Sequence, residues 1–408
     1  MYCYNKIGED LYWIGGSDRK IPVFEGVVPV TDGMAYNSYF IDDEKTVVVD
    51  AVDHVIAKVF YENVEHLLAG RDLDYIIVNH VEPDHSASLE DLMIRNPKAK
   101  VVGTVKIQNM IKQYIDRDID DRFLVVKEGE ELSSGKHTFT FINAPMVHWP
   151  EVMVTYDKYA GTLFSADAFG IYGSIDGNIF ADKYDFDAEW LPEARRYYTT
   201  IVGKYGMFTE KLLAKVEELD VKMICPLHGY VIRKDLDKYI NAYHTWARYE
   251  AEDNGVLIVY ASPYGNTKNA VDILASELVD LGVDRMKLMD ASKDDPMKIL
   301  PHVFRFKHLV LAAPTYNTEI FVTMEEALGE MRTMGVSNKK ISIIENGSWQ
   351  PMSGKKMREF VEKFHSVEFI GETVTIKSAV KAETREALEK LAKEIAASVK
   401  AENEKAAK

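Results

Sequence analysis

The apolar run Tyr75-Ile76-Ile77-Val78 passes through Asn79 into His80-Val81-Glu82-Pro83-Asp84-His85, six residues that offer four metal-binding side chains. A β-branched run that stops abruptly in polar residues reads as a buried strand delivering its cargo to a loop at the carboxyl edge of a sheet. His80 and Glu82 are two apart, so an extended backbone points both to one side. Pro83 stiffens a turn that swings Asp84 and His85 round to a second position. One loop can thus serve two metals. The plainer alternative is a solvated acidic turn with two histidines, and the rest of the chain decides between them.

Three later strands repeat the design. Thr138-Phe139-Thr140-Phe141-Ile142 leads to Met146-Val147-His148-Trp149-Pro150. Gly161-Thr162-Leu163-Phe164-Ser165-Ala166 ends on Asp167, and Lys222-Met223-Ile224-Cys225-Pro226-Leu227 ends on His228 beside Gly229. A single strand-terminal His or Asp is usually a cap or an ordinary loop residue. Several together point to ligands converging on one edge of a layered sheet. The other histidines, His54, His66, His137, His244, His302, His308 and His365, fall outside the pattern and read as ordinary.

At 408 residues the chain exceeds one ordinary core, so two or three domains are expected. Its 47% hydrophobic and 28% charged residues suit a globular protein. No apolar stretch reaches the roughly 20 residues of a membrane-spanning helix, and the amino terminus has no signal-peptide pattern, so a cytoplasmic protein is expected. With a formal charge of −16 and no basic stripe, nucleic acid is a poor partner. Cys3 and Cys225 are the only cysteines, which excludes a disulfide framework and any Cys-rich zinc or iron–sulfur site within the sequence.

Strand-like pieces Leu11–Ile14, Tyr39–Ile41 and Thr46–Asp50, helical periodicity from Val52 to Leu68 and from Ser88 to Asn96, and a strand at Lys100–Gly103 give the first half an α+β order, with two sheets between helices as one candidate. A charged turn, Glu252-Asp253-Asn254-Gly255, marks the expected boundary between residues 1–252 and 253–408. Beyond it, strands at Val256–Tyr260, His308–Ala312, Lys340–Ile344 and Thr373–Ile376 alternate with helices at Lys268–Leu281, Val322–Met334 and Thr384–Val399. That alternation means a doubly wound parallel sheet, ending in a closing helix and a short solvated tail.

In such sheets ligands bind outside the strand carboxyl ends. The first such loop is Ser262-Pro263-Tyr264-Gly265-Asn266-Thr267, opening directly into a helix. Hydroxyls, a glycine and the positive end of a helix dipole make a cradle for a phosphate monoester, although the same letters also make an ordinary turn and cap. Pro314-Thr315-Tyr316-Asn317 and Asn346-Gly347-Ser348-Trp349 follow two further strands, where a flat ring above the phosphate would lie, with Tyr316 or Trp349 able to stack on it.

The set His80-x-Glu82-x-Asp84-His85, His148, Asp167 and His228 resembles the metal site of the metallo-β-lactamase superfamily in its flavodiiron branch. Hydrolases of that superfamily usually carry His where this chain has Glu82. A carboxylate there favours iron over zinc, since carboxylate–imidazole sets recur in di-iron oxygen chemistry. The resemblance implies that His80, Glu82 and His148 bind one iron, that Asp84, His85 and His228 bind the other, and that Asp167 bridges them. Asp84 competes with its neighbour His85 for the same metal, which leaves open a position for His85 just behind the ligands. Tyr197 or Tyr198 would hydrogen-bond a metal-bound species, or else be a core aromatic of an amphipathic helix.

The second half resembles a flavodoxin-like domain. Ser262 and Tyr264 to Thr267, with Gly265 and Asn266, would hold the phosphate of flavin mononucleotide (FMN). Pro314, Thr315, Tyr316, Asn317, Gly347, Ser348 and Trp349 would hold its ring. Tyr264 stands where a threonine is usual, and the last loop lacks a second glycine before its aromatic residue.

Together the two resemblances imply an αββα metallo-β-lactamase-like sandwich followed by the flavodoxin-like domain. The implied enzyme carries FMN and two non-haem irons and reduces dioxygen to water, nitric oxide to nitrous oxide, or both. They imply a head-to-tail homodimer, or a dimer of such dimers, that brings one subunit's flavin to the other's irons. The electron donor is expected to be a separate rubredoxin or a reduced deazaflavin cofactor, because a rubredoxin module needs four paired cysteines. A di-metal hydrolase with a flavodoxin-like docking half, and an electron carrier with a vestigial metal site, are the competing readings.

Overall fold

The fold is that of a computed structural model describing residues 2–406. The described residues form two compact units that divide between His244 and Thr245.

In the first unit, a seven-stranded sheet runs in the order Asn5–Lys6, Leu11–Trp13, Tyr39–Ile41, Val47–Val49, Tyr75–Ile77, Lys100–Gly103, Phe123–Val125. A five-stranded sheet runs Glu131–Ser133, Thr138–Asn143, Met153–Asp157, Thr162–Phe164, Met223–Cys225. Val47, Val48, Val49, Ile76 and Ile77 are fully enclosed. Burial of each such β-branched side chain is worth roughly 1.5–3 kcal/mol, which fixes strand register without help from polar groups. The sheets meet through residues such as Tyr39 and Phe164, whose rings lie 5.3 Å apart. Helix Ala57–Leu68 buries Phe60, Val64 and Leu68, spaced four apart on one face. The strand Tyr75–Ile77 pairs in parallel with neighbours on both sides, so its carboxyl end opens where the metal-ligand loop was expected.

The second unit holds a parallel sheet in the order Met286–Asp290, Asp253–Tyr260, Phe306–Tyr316, Lys340–Asn346, then Glu368–Phe369 and Val374–Ile376. In chain order this is 2-1-3-4-5, a doubly wound arrangement whose switch point lies between its first and third strands. Val256, Ile258, Val310 and Ile344 of the sheet pack with Ala270, Leu274 and Leu278 of helix Asn266–Asp280 and with Leu388, Leu391 and Ile395 of the final helix.

Several elements differ from expectation. The residues read as a boundary turn, Asp253 to Gly255, begin a strand with an irregularity between Asp253 and Val256. Asp253 is stabilised there, 5% exposed, by Arg285 and by Arg305 at 2.6 Å. The strand Met286–Asp290 and helix Pro296–Arg305 were not anticipated. The strand lacks a β-branched run and is mostly half-exposed, while Pro301 interrupts a helical pattern otherwise apolar on one face. The residues expected to form a short solvated tail continue the final helix as far as Ala406. Glu402 holds it, with Lys340 at 3.2 Å and Lys405 at 2.9 Å.

Candidate metal centre and candidate flavin cleft

Pro83–Ser86 forms one helical turn directly after the strand-end loop, and His85 N–H donates to Glu82 O at 2.9 Å. This turn takes Asp84 and His85 away from His80 and Glu82, as the proline suggested. Asp50 and Asn79 anchor the loop. Asp50 accepts from Asn79 N at 2.6 Å, Asn79 Nδ2 at 2.8 Å and His80 N at 3.3 Å. Asn79 Oδ1 in turn accepts from Thr155 Oγ1 at 2.7 Å, on the other sheet.

His228 is held by a buried cage. Asn37 Nδ2 donates to Pro226 O and Gly229 O at 2.8 and 2.9 Å, and His228 Nδ1–H donates to Ala35 O at 2.7 Å. Gly229 has φ +76°, and a Cβ there would lie 2.2 Å from Ile171, so no other residue fits beside His228 without displacement. Leu227 N donates to Ala166 O at 2.9 Å, tying the His228 loop to that of Asp167.

The seven expected ligands meet as two groups that share Asp167. Its Oδ2 lies 3.3 Å from His80 Nε2 and 3.2 Å from His148 Nε2; Glu82 Oε2 lies 3.3 and 2.9 Å from the same two nitrogens. Its Oδ1 lies 3.2 Å from His85 Nε2 and 3.8 Å from His228 Nε2, and Asp84 Oδ2 lies 3.3 and 3.2 Å from that pair. His80, Glu82, His148 and Asp167 form one metal-competent set, and Asp84, His85 and His228 another. His85 Nε2 thus lies as near to Asp84 and Asp167 as the other imidazoles lie to their carboxylates.

The donors are poorly satisfied by one another. Both oxygens of Asp84, both ring nitrogens of His85 and Oδ1 of Asp167 are buried without a hydrogen-bond partner among the described residues. Leaving a buried polar group unpaired costs about 1–3 kcal/mol, more if charged, so the three of these atoms that meet, Asp84 Oδ2 and Asp167 Oδ1 at 3.3 and 3.2 Å from His85 Nε2, fit a cation between them. Burial alone would raise the Asp167 and Glu82 carboxyls, yet His80 and His148 among others hold Asp167 well below the usual range and Glu82 at about 2. Burial would lower His148, but Asp167 and Glu82 push it up to about 9. Four imidazoles facing three carboxylates balance either by taking up protons or by binding metal.

The two tyrosines differ in position. Tyr197 lies with its ring 5.5 Å from that of His228, whereas Tyr198 packs edge-on against Tyr243 at 5.2 Å. Burial, and then Asp167, keep the Tyr197 phenol well above its ordinary pKa and hence protonated. Phe24, on the short hairpin Val23–Phe24/Val28–Pro29, covers His228 edge-on at 5.5 Å. Sequence reasoning missed Phe24, Asp50 and Glu151. Glu151, a carboxylate between Pro150 and a wholly buried strand, was the legible signal.

The second unit holds a cleft of about 320 Å³ at the carboxyl ends of its strands, within the size range of small-molecule sites. Ser262, Tyr264, Asn266, Thr267, Pro314 to Asn317, Gly347, Ser348 and Trp349 all line it. Gly265 caps the helix Asn266–Asp280 in the left-handed region at φ +85°, and Ser262 Oγ accepts from Lys268 N at 3.1 Å, so helix amides face the cleft. Pro314 to Tyr316 finish the long strand rather than forming a loop, and the chain turns back at Asn317 and Thr318. The Thr315 hydroxyl caps helix Ser353–Val361, accepting from Met352 N and Ser353 N at 2.8 and 3.0 Å. Tyr264 and Trp349 are 92% and 71% exposed at the rim, which leaves their faces available to a planar ligand. Asn346, at the start of the expected third loop, also lines the cleft, as do Thr318, Phe321 and Ser378, which were not anticipated.

Comparison with known proteins gives consistent matches. The family "ODP family beta lactamase" matches residues 34–229, the span that carries every candidate metal ligand. The anaerobic nitric oxide reductase flavorubredoxin of Vibrio vulnificus is 32% identical over 352 residues, covering 84% of this chain and 70% of that protein. An uncharacterized protein of Methanocaldococcus jannaschii is 30% identical over 382 residues, covering 93% and 94%. Among solved structures, the rubredoxin oxygen:oxidoreductase of the anaerobe Desulfovibrio gigas aligns with a TM-score of 0.91 at 25% identity, over 98% of this chain and 99% of that one.

Proposed function

The chain belongs to the flavodiiron protein family, and we propose that it passes electrons from FMN to a non-haem di-iron centre, reducing dioxygen to water, nitric oxide to nitrous oxide, or both. It is an oxidoreductase, as are the nitric oxide reductase and the rubredoxin oxygen:oxidoreductase it resembles. The observation that carries the reading is the two-sided placement of Asp167, one oxygen towards each group of donors. The family likeness does not favour the hydrolase alternative, and Glu82 supplies an oxygen where a zinc hydrolase would place a third imidazole.

In this reading His80, Glu82 and His148 would hold one iron and Asp84, His85 and His228 the other, with Asp167 shared by the two groups. When bound, the irons supply valence changes and open coordination positions, and the flavin supplies a two-electron store. The protein's own residues set the conditions. Near-complete burial of His80, His85, Asp167 and His228 keeps bulk water from these four side chains, while Glu82, Asp84 and His148 are partly exposed. Asn37 and Asp50 fix the two loops, so little reorganisation is needed as charge changes. Tyr197 presents a protonated phenol ring on the His228 side.

In the second unit, the amide groups at the start of helix Asn266–Asp280 would take the FMN phosphate, and Tyr316 and Trp349 would flank the ring. A separate donor, either rubredoxin or a reduced deazaflavin, would refill the flavin. A head-to-tail homodimer would pair the flavin of one subunit with the irons of the other. A flavin-cleft variant and a His80 variant, each inactive, should then regain turnover as a mixed dimer, and no recovery would sink that arrangement. Elemental analysis with an absorption spectrum tests the cofactors: iron with flavin bands supports the proposal, zinc in a colourless protein overturns it.

A further inference from the structure

The two groups of metal donors are matched in kind. Each has two imidazoles and one carboxylate of its own, with Asp167 turned to both. What differs is the support behind the rings. His80 Nδ1 lies 2.7 Å from Glu151 Oε1, and the Glu151 side chain is fully enclosed. The matching nitrogen of His228 lies 2.7 Å from the backbone carbonyl of Ala35. One imidazole therefore leans on a carboxylate and the other on a neutral dipole. Glu151 Oε1 also accepts Val81 N–H at 3.1 Å, while Oε2 has no partner, so little of its charge is drawn off by other donors. Asp50, the other buried carboxylate nearby, is committed to the Asn79 side chain and to the amides of Asn79 and His80.

We infer that Glu151 is a positioning residue that makes the two metal positions electronically unequal, by fixing the His80 tautomer and strengthening His80 as a donor. The inference rests on the di-iron reading above. A carboxylate accepting the remote N–H of a metal-bound histidine orients the ring and raises its basicity. Such a charge-assisted bond is roughly twice as strong as a neutral one, and a site shielded from water preserves the difference. A more basic imidazole favours ferric over ferrous iron. With iron bound, the His80 position would therefore give up its electron to the gas, the oxidant of the proposed reaction, before the His228 position, and the pair would oxidise in a fixed order. Glu151 also joins the His80 loop to the chain just past His148, two residues of the same donor group, so its support is concentrated on one metal.

The test is the Glu151→Gln protein, which keeps an oxygen to accept from His80 and Val81 but removes the charge. Holoprotein enriched in the Mössbauer isotope of iron should show one of two iron signals shifted and the other unmoved. The gap between the two one-electron steps should narrow by a factor of about ten in relative ferric preference, or about 59 mV. Glu151→Leu, which also removes the acceptor, should weaken iron binding at the His80 position by about 10–100-fold. If Glu151→Gln loses iron, cobalt(II) at saturation gives the second reading, with the spectrum of one position moved and the other unchanged. Both signals shifting alike, or neither shifting, overturns the inference. Wild-type protein that takes up no iron overturns instead the reading on which it rests.

Discussion

Asp167 lies with Oδ1 3.2 Å from His85 Nε2, while its other oxygen lies 3.2 Å from the ring of His148. One carboxylate thus presents an oxygen to each of two donor groups, and no hydrogen bond engages Oδ1. Asp167→Asn replaces one of these oxygens with an N–H group that repels a cation. Iron content should fall from two atoms per chain to one or none, with folding retained by circular dichroism. Retention of both irons would show that Asp167 does not bridge them.

In the proposed function Glu82 is the residue that would separate iron from zinc. Its Oε2 approaches His148 Nε2 at 2.9 Å, so it belongs to the donor group itself. Glu82→His should shift the purified protein from iron towards zinc and abolish gas reduction, read by elemental analysis and turnover. Unchanged iron content and rate would show that the carboxylate is not what selects the metal.

Trp349 is 71% exposed, so its removal costs the fold little. If its face stacks on the flavin, Trp349→Ala loses about 0.5–1.5 kcal/mol, or about 2–12-fold in FMN affinity, measured by fluorescence titration of the flavin-free protein. Unchanged affinity would remove the stacking role and leave binding to the phosphate cradle.

Lys339 is buried, and its ammonium donates to Phe304 O and Phe306 O at 3.1 and 2.9 Å. Burial, and then the charge of Lys307, lower its pKa to about 7 from 10.5. Between those two values the unfolded chain holds a proton that the folded one lacks, so this group makes stability rise with pH across the window. The slope reaches up to about 1.4 kcal/mol per pH unit. Denaturant unfolding between pH 7 and 9.5 should show that rise in the wild type relative to Lys339→Met. Parallel curves would mean that Lys339 stays charged when folded.

The donors were legible because strand ends concentrate them: His80, His148, Asp167 and His228 each follow an apolar run, and apolar runs are what sequence shows best. The cleft was legible for a related reason, since its loops also follow strands. Less visible were residues whose role depends on pairings across the fold. Glu151 meets His80 across 71 positions, and Asn37 meets Gly229 across 192, and no local pattern encodes either meeting. The strand Met286–Asp290 and the helix Pro296–Arg305 escaped because their side chains alternate weakly or include Pro301. Asp253 looked like part of a turn because its two arginine partners lie 32 and 52 residues away.

In the proposed function flavin electrons reach the metal pair and leave on a gas. The most direct measurement is stopped-flow mixing of the anaerobically reduced holoprotein with dioxygen and, separately, with nitric oxide. Flavin absorbance should return as gas is consumed, with four electrons per dioxygen or one per nitric oxide, and the return should be lost in Asp167→Asn. Flavin that reoxidises at the same rate in the metal-free protein, or that stays reduced with both gases, would contradict the account.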